Sequence, residues 1–78
     1  MVYVDNVFIK FGRMKMCHMI ADTEEELHEM AAKLGLKRSW FQDKSIPHYD
    51  VSKGKRAKAI KLGAIEVSPQ ELVKIARQ

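Results

Sequence analysis

Cys17 is the only cysteine, so no intramolecular disulfide can staple this chain, and a reducing compartment suits it. No run approaches the roughly 18 apolar residues of a membrane span. The start Met1-Val2-Tyr3-Val4-Asp5-Asn6 reaches a charge within five residues and lacks the apolar core of a secretory signal. A soluble, cytoplasmic protein with no membrane partner is therefore expected. Also missing is a glycine-rich phosphate loop: Ser52-Lys53-Gly54-Lys55 lacks the glycines that wrap a phosphate ahead of a Walker lysine, so ATP or GTP hydrolysis is not implied. The last absence is of negative charge between positions 53 and 61, where Lys53, Lys55, Arg56, Lys58 and Lys61 stand without one acidic residue.

What remains is a chain of 78 residues, 46% apolar, with regular apolar patterns that argue against disorder and fit a single compact domain over residues 1 to 78. A chain this short buries only roughly 60 to 65% of its extended surface on folding, so association into a homo-oligomer would help it. The net charge of +4 is unevenly spread. Glu24, Glu25, Glu26 and Glu29 form an acidic patch, and the basic run occupies the second half. Solvated helix faces account for both patches; opposed surfaces also steer an anionic ligand or a second subunit.

Local signals predict an α/β fold, a small single-layer or two-layer sandwich in the order β-β-α-β-α-β-α. Val2-Tyr3-Val4 reads as a first strand and Met16 to Ala21 as a second, separated by a basic loop around Gly12-Arg13-Met14-Lys15. Alternation puts Cys17 and Met19 on one face and His18 and Ile20 on the other. Asp22 is the expected cap of a first helix, with Glu25 completing a capping box; Leu27, Met30, Ala31 and Leu34 form its apolar face and Gly35 its stop. Trp40-Phe41-Gln42 reads as a short strand or packed loop. Ser52 caps a second helix reaching about Leu62, with Ala57, Ile60 and Ala64 inward, and Gly63 ends it. Ala64 to Val67 is the last strand, and Ser68-Pro69-Gln70-Glu71 starts a final helix whose inward face is Leu72, Ile75 and Ala76.

The chemistry-bearing residues point first to an anion. Arg13 can grip two phosphate oxygens, Lys15 and Lys53 add positive charge, and Arg56 projects one turn beyond the Ser52 cap, where a helix N-terminus offers unpaired N–H donors. Tyr49 offers a ring to stack on a base or a phenol to bond, and His48 can orient a phosphate or ring edge. This site requires folding to bring residues 13 to 18 beside 48 to 56. Asp5, His18, His48 and Asp50 offer four ligands to zinc, manganese or iron if the first two strands adjoin the third region. That arrangement rests on more long-range contacts, so no metal or cofactor is assigned. Trp40 and Phe41 suit a core or subunit contact better than nucleic-acid stacking. Met14, Met16 and Met19 suit an adaptable packing surface, and Cys17 a buried small hydrophobe rather than a reactive thiol.

Taken in order, Tyr3-Val4-Asp5, Phe11 to His18, the acidic cap at Asp22, His48-Tyr49-Asp50 and Ser52-x-x-x-Arg56-Ala57 resemble the domain-of-unknown-function family numbered 4031. Its members are short stand-alone proteins of bacteria and phages. The resemblance covers nearly the whole chain and implies a recurring polar site of Asp5, Arg13, His18, His48, Tyr49, Asp50 and Arg56, with no activity attached to it. Asp5-Asn6 stands where Asp-Asp is expected in many relatives, which weakens a two-carboxylate metal site there. The expected function is binding or sequestration of a nucleotide or other phosphorylated small molecule, with no catalytic residue assigned. The alternatives are nucleic-acid binding by the basic helix, a phosphoryl-group enzyme using His48 or His18 as base, and a partner-protein module.

Overall fold

Two residues too many between two paired strands shape this molecule. In the computed structural model, which describes residues 1–78, strand β1 (Val2–Val4) runs antiparallel to β3 (Met14–Ala21) with Val4 opposite Met19. The same edge of β3 pairs again with β2 (Ile9–Phe11), Ile9 standing opposite Met16. Four residues, 5 to 8, thus face two, 17 and 18, and the surplus is a bulge. Phe8 takes a left-handed backbone conformation (φ 48°) within it, and Gly12 (φ 61°) turns the chain into β3. The sequence reading assigned no strand to residues 9 to 11 and began the next one at Met16; the tight turn at Gly12 instead lets Ile9–Phe11 pair with a β3 that starts at Met14.

The other edge of β3 pairs antiparallel with β4 (Tyr49–Ser52), and β5 (Ile65–Glu66) runs parallel to β1. The result is a mixed five-stranded sheet. Trp40-Phe41-Gln42 is not the third strand: Arg38–Trp40 form a 3-10 turn, and Gln42 makes an isolated bridge to His48 before β4 begins.

Helices α1 (Glu24–Lys33) and α2 (Lys53–Lys61) cover one face. Val2, Val4, Cys17, Met19, Tyr49 and Val51 pack there against Leu27, Met30, Ala31, Leu34 and Ala59. Helix α3 (Pro69–Ala76) adds a third layer at one end of the opposite face, where Ile20, Val67 and Leu72 form a smaller cluster with Tyr3 and Ile46. Both sets of β3 side chains are therefore buried near its end, which is why Ile20 is as covered as Met19.

Caps fix the helix ends. Thr23, not Asp22, caps α1 by accepting the Glu26 N–H; Asp22 instead meets the Met1 amino group and the Tyr3 hydroxyl. Ser52 caps α2 and Ser68 caps α3, the latter with a reciprocal Glu71 bond and Pro69 in the first turn. Gly35 and Gly63 sit at positive φ, and the residue after each donates back to Ala31 and Ala59 respectively. Inside α2 Arg56 and Ala59 are buried and Ile60, as expected, packs half-buried against the core; Ala57 is exposed, as is Ala76 in α3. No helix is long and apolar enough to cross a membrane.

Candidate functional site

The bulge has a chemical consequence. Asp5 sits in it with only 1% of its surface exposed, and its carboxylate takes over a place in the strand ladder. Oδ1 accepts the His18 backbone N–H at 2.9 Å, and Oδ2 accepts from His18 Nδ1 at 2.8 Å. One side chain thus satisfies both the backbone and the ring of His18, holding the imidazole with Nε2 pointing away.

His18 stands opposite Asp50 in the β3–β4 ladder, so their side chains leave the same face. His48 joins them, its ring edge-on to His18 with centroids 5.3 Å apart. Its Nδ1 donates to the Ile46 carbonyl at 2.7 Å, and its Nε2 lies 3.5 Å from Asp50 Oδ1. Gln42 Nε2 donates to Asp50 Oδ2 at 2.6 Å. Ligand-capable atoms of His18, His48 and Asp50 all lie within 4.8 Å of one another. A cavity of about 290 Å³, lined by Asp5, His18, His48, Lys44, Ile46 and the start of α3, opens beside them.

The expected phosphate residues gather elsewhere. Arg13, from the β2–β3 turn, and Lys15, at the start of β3, meet Ser52, Lys53 and Gly54 at the start of α2 around a cleft of about 350 Å³ with no carboxylate in its lining. Its neighbour, sharing Met14 and Ser52, is a larger hollow of about 600 Å³ walled by Phe11, Met16, Leu36, Trp40 and Phe41 and reaching Asp50. Phe11 is 73% exposed and Trp40 51%, so this apolar wall is open to solvent. The hollow thus lies between the basic cleft, with which it shares Met14 and Ser52, and the histidine cluster, with which it shares Asp50.

Like Asp5, whose carboxylate is taken up by His18, and Ser52, which caps α2, the expected ligand residues Tyr49 and Arg56 have other partners. Tyr49 is fully buried; its hydroxyl and His28 Nδ1 share a 2.8 Å hydrogen bond, and burial pushes its phenol pKa up. No face of the ring is left to stack on a base. Arg56 lies against the core, its Nε donating to the Asp5 carbonyl at 2.6 Å and its Nη2 to Glu66 Oε1 at 2.6 Å, with the guanidinium over the Phe8 ring. It braces the bulge from behind. His28 and Gln42 were missed by sequence reading; His28 stands among the glutamates of α1, where it reads as part of a solvated helix face, and Gln42 becomes significant only through its bond to Asp50. Burial raises the pKa of Cys17, as expected of a packed thiol.

Fold and cluster define a small α/β protein with a bulge-held aspartate orienting one of two convergent histidines. The chain belongs to the family described as Protein of unknown function (DUF4031), whose sequence model matches residues 2–78. No curated protein and no solved structure matches the chain significantly.

Proposed function

We propose that this protein binds a phosphorylated small molecule of the nucleotide class, in the cytoplasm, with the phosphate on the cleft of Arg13, Lys15 and Lys53 and the ring system against Phe11 and Trp40. The observation that carries this reading is the convergence of three cations, from segments nearly forty residues apart, on a carboxylate-free cleft beside an open aromatic hollow. Clustered cations at a helix start favour a multiply charged anion, and an aromatic wall beside them gives a base its stacking partner. A second copy seated on the exposed Ile9, Phe11 and Met14 would close the hollow, which makes a ligand-stabilised homodimer part of the proposal.

The nucleic-acid reading has less support. Of its five cations, Lys55 is drawn to the Leu34 carbonyl at 2.6 Å and Arg56 is buried, which leaves Lys53, Lys58 and Lys61.

Calorimetric titration with a panel of nucleoside mono- and diphosphates and pyrophosphate tests the proposal. At least one nucleotide should bind, Arg13→Glu and Lys53→Glu should each weaken it about tenfold or more, and Trp40→Ala should weaken nucleotide but not pyrophosphate. Ligand recovered unchanged points to capture, and changed ligand to an enzyme. Binding untouched in the Arg13→Glu, Lys53→Glu double variant, or none across the panel, overturns it.

A further inference from the structure

We propose that His18, His48 and Asp50 bind one divalent first-row transition-metal ion, with coordination positions left open toward the neighbouring cavity. The proposal stands on side-chain geometry independent of the phosphorylated-ligand reading.

The spacing favours an ion over a direct hydrogen bond. His48 Nε2 and Asp50 Oδ1 are 3.5 Å apart, long for a charge-assisted bond, which closes to about 2.7–2.9 Å. Two ligands each about 2.1 Å from a tetrahedral ion stand about 3.4 Å apart. All three residues keep a ligand atom within 4.8 Å of the others, so small rotations suffice to converge on one centre.

Both imidazoles are set for metal. His48 Nδ1 can only donate to the Ile46 carbonyl, so in the neutral ring its Nε2 carries the lone pair. His18 Nδ1 donates to Asp5 Oδ2, which frees its Nε2 in the same way. A carboxylate behind a ligating histidine fixes the tautomer and strengthens the donor, and Asp5, almost wholly buried, has its position fixed by the bulge. Gln42 plays the matching part for Asp50 by holding Oδ2 and leaving Oδ1 toward His48. Two imidazoles and one carboxylate suit zinc or iron(II). Three protein ligands beside a cavity leave room for water or for an oxygen of a bound molecule.

Tag-free protein, stripped with chelator and dialysed, is titrated with Co²⁺ by visible absorption and with Zn²⁺ by calorimetry. One Zn²⁺ per chain is expected, with displacement of Co²⁺ and loss of its visible band. His48→Ala and Asp50→Asn should weaken binding at least about tenfold, and Asp5→Asn, which touches no ion, about 10- to 100-fold. Asp50 is half-exposed, so Asp50→Asn should keep the wild-type circular dichroism and serve as the decisive variant. Arg13→Glu should bind Zn²⁺ as wild type does even where nucleotide binding is lost. Failure of the wild type to bind either ion in a saturable way, or wild-type affinity in folded Asp50→Asn, overturns the proposal.

Discussion

Arg56→Met removes the guanidinium that ties the bulge to the rest of the fold while keeping a long apolar stem. The arginine donates to the Asp5 carbonyl and to Glu66, and lies over Phe8. A charge-assisted bond to a buried carbonyl contributes about 1.5–3 kcal/mol, and the unpaired carbonyl cannot turn to water. The Glu66 carboxylate is 60% exposed, so that pair adds only about 0–1 kcal/mol. Phe8 adds about 0.5–1 kcal/mol. Relief of the desolvated guanidinium offsets part of the sum, which leaves a net loss of about 2–3 kcal/mol. A chain of this length has about 4–12 kcal/mol in total, and the midpoint should fall by about 8–24 °C. Urea and thermal unfolding followed by circular dichroism measure it, with Glu66→Gln as the control expected to lose less than about 1 kcal/mol. A change below about 0.5 kcal/mol in Arg56→Met, or an equal loss in Glu66→Gln, would refute the assignment of Arg56 as a brace. Folded Arg56→Met should still bind the phosphorylated ligand, since the cleft is built from other cations.

Two further outcomes follow from burial and capping. Tyr49→Phe strands His28 Nδ1 in a pocket where Nε2 already has no hydrogen-bond partner, so it should cost about 1–2 kcal/mol in urea unfolding; a neutral result would mean that water reaches His28. The Glu71 carboxyl is held below its ordinary pKa, first by the Ser68 backbone N–H and then by the Ser68 side chain. A depressed folded-state pKa stabilises the fold above the unfolded carboxyl value of about 4.3 and is lost as pH falls through the lower folded value. The melting-temperature gap between wild type and Glu71→Gln should therefore be full near neutrality and shrink below about pH 4; a gap independent of pH would contradict the charged cap.

The helices, their caps within a residue, the glycine stops and the α/β class were legible because each is written within one turn of chain: Ser52 and Ser68 before polar first turns, Gly35 and Gly63 after apolar stripes. Even there the expected cap, Asp22, lay one residue early, and only the direction of the Thr23 hydroxyl toward the Glu26 N–H identified the true one. The set Asp5, His18, His48 and Asp50 could be named from residue type, and so could the cations Arg13, Lys15 and Lys53. Their division into two places was decided by strand pairing. The β3–β4 register set His18 against Asp50, and the β2–β3 turn carried Arg13 to the start of α2. Burial of Arg56 and Tyr49 came from the same source, because whether a polar side chain meets solvent or a carbonyl fifty residues away depends on which elements pack above it. The two surplus residues of the bulge were the least visible of all. Spacing along one strand carries no trace of the count on its partner, and it is that mismatch which buries Asp5 and aims His18.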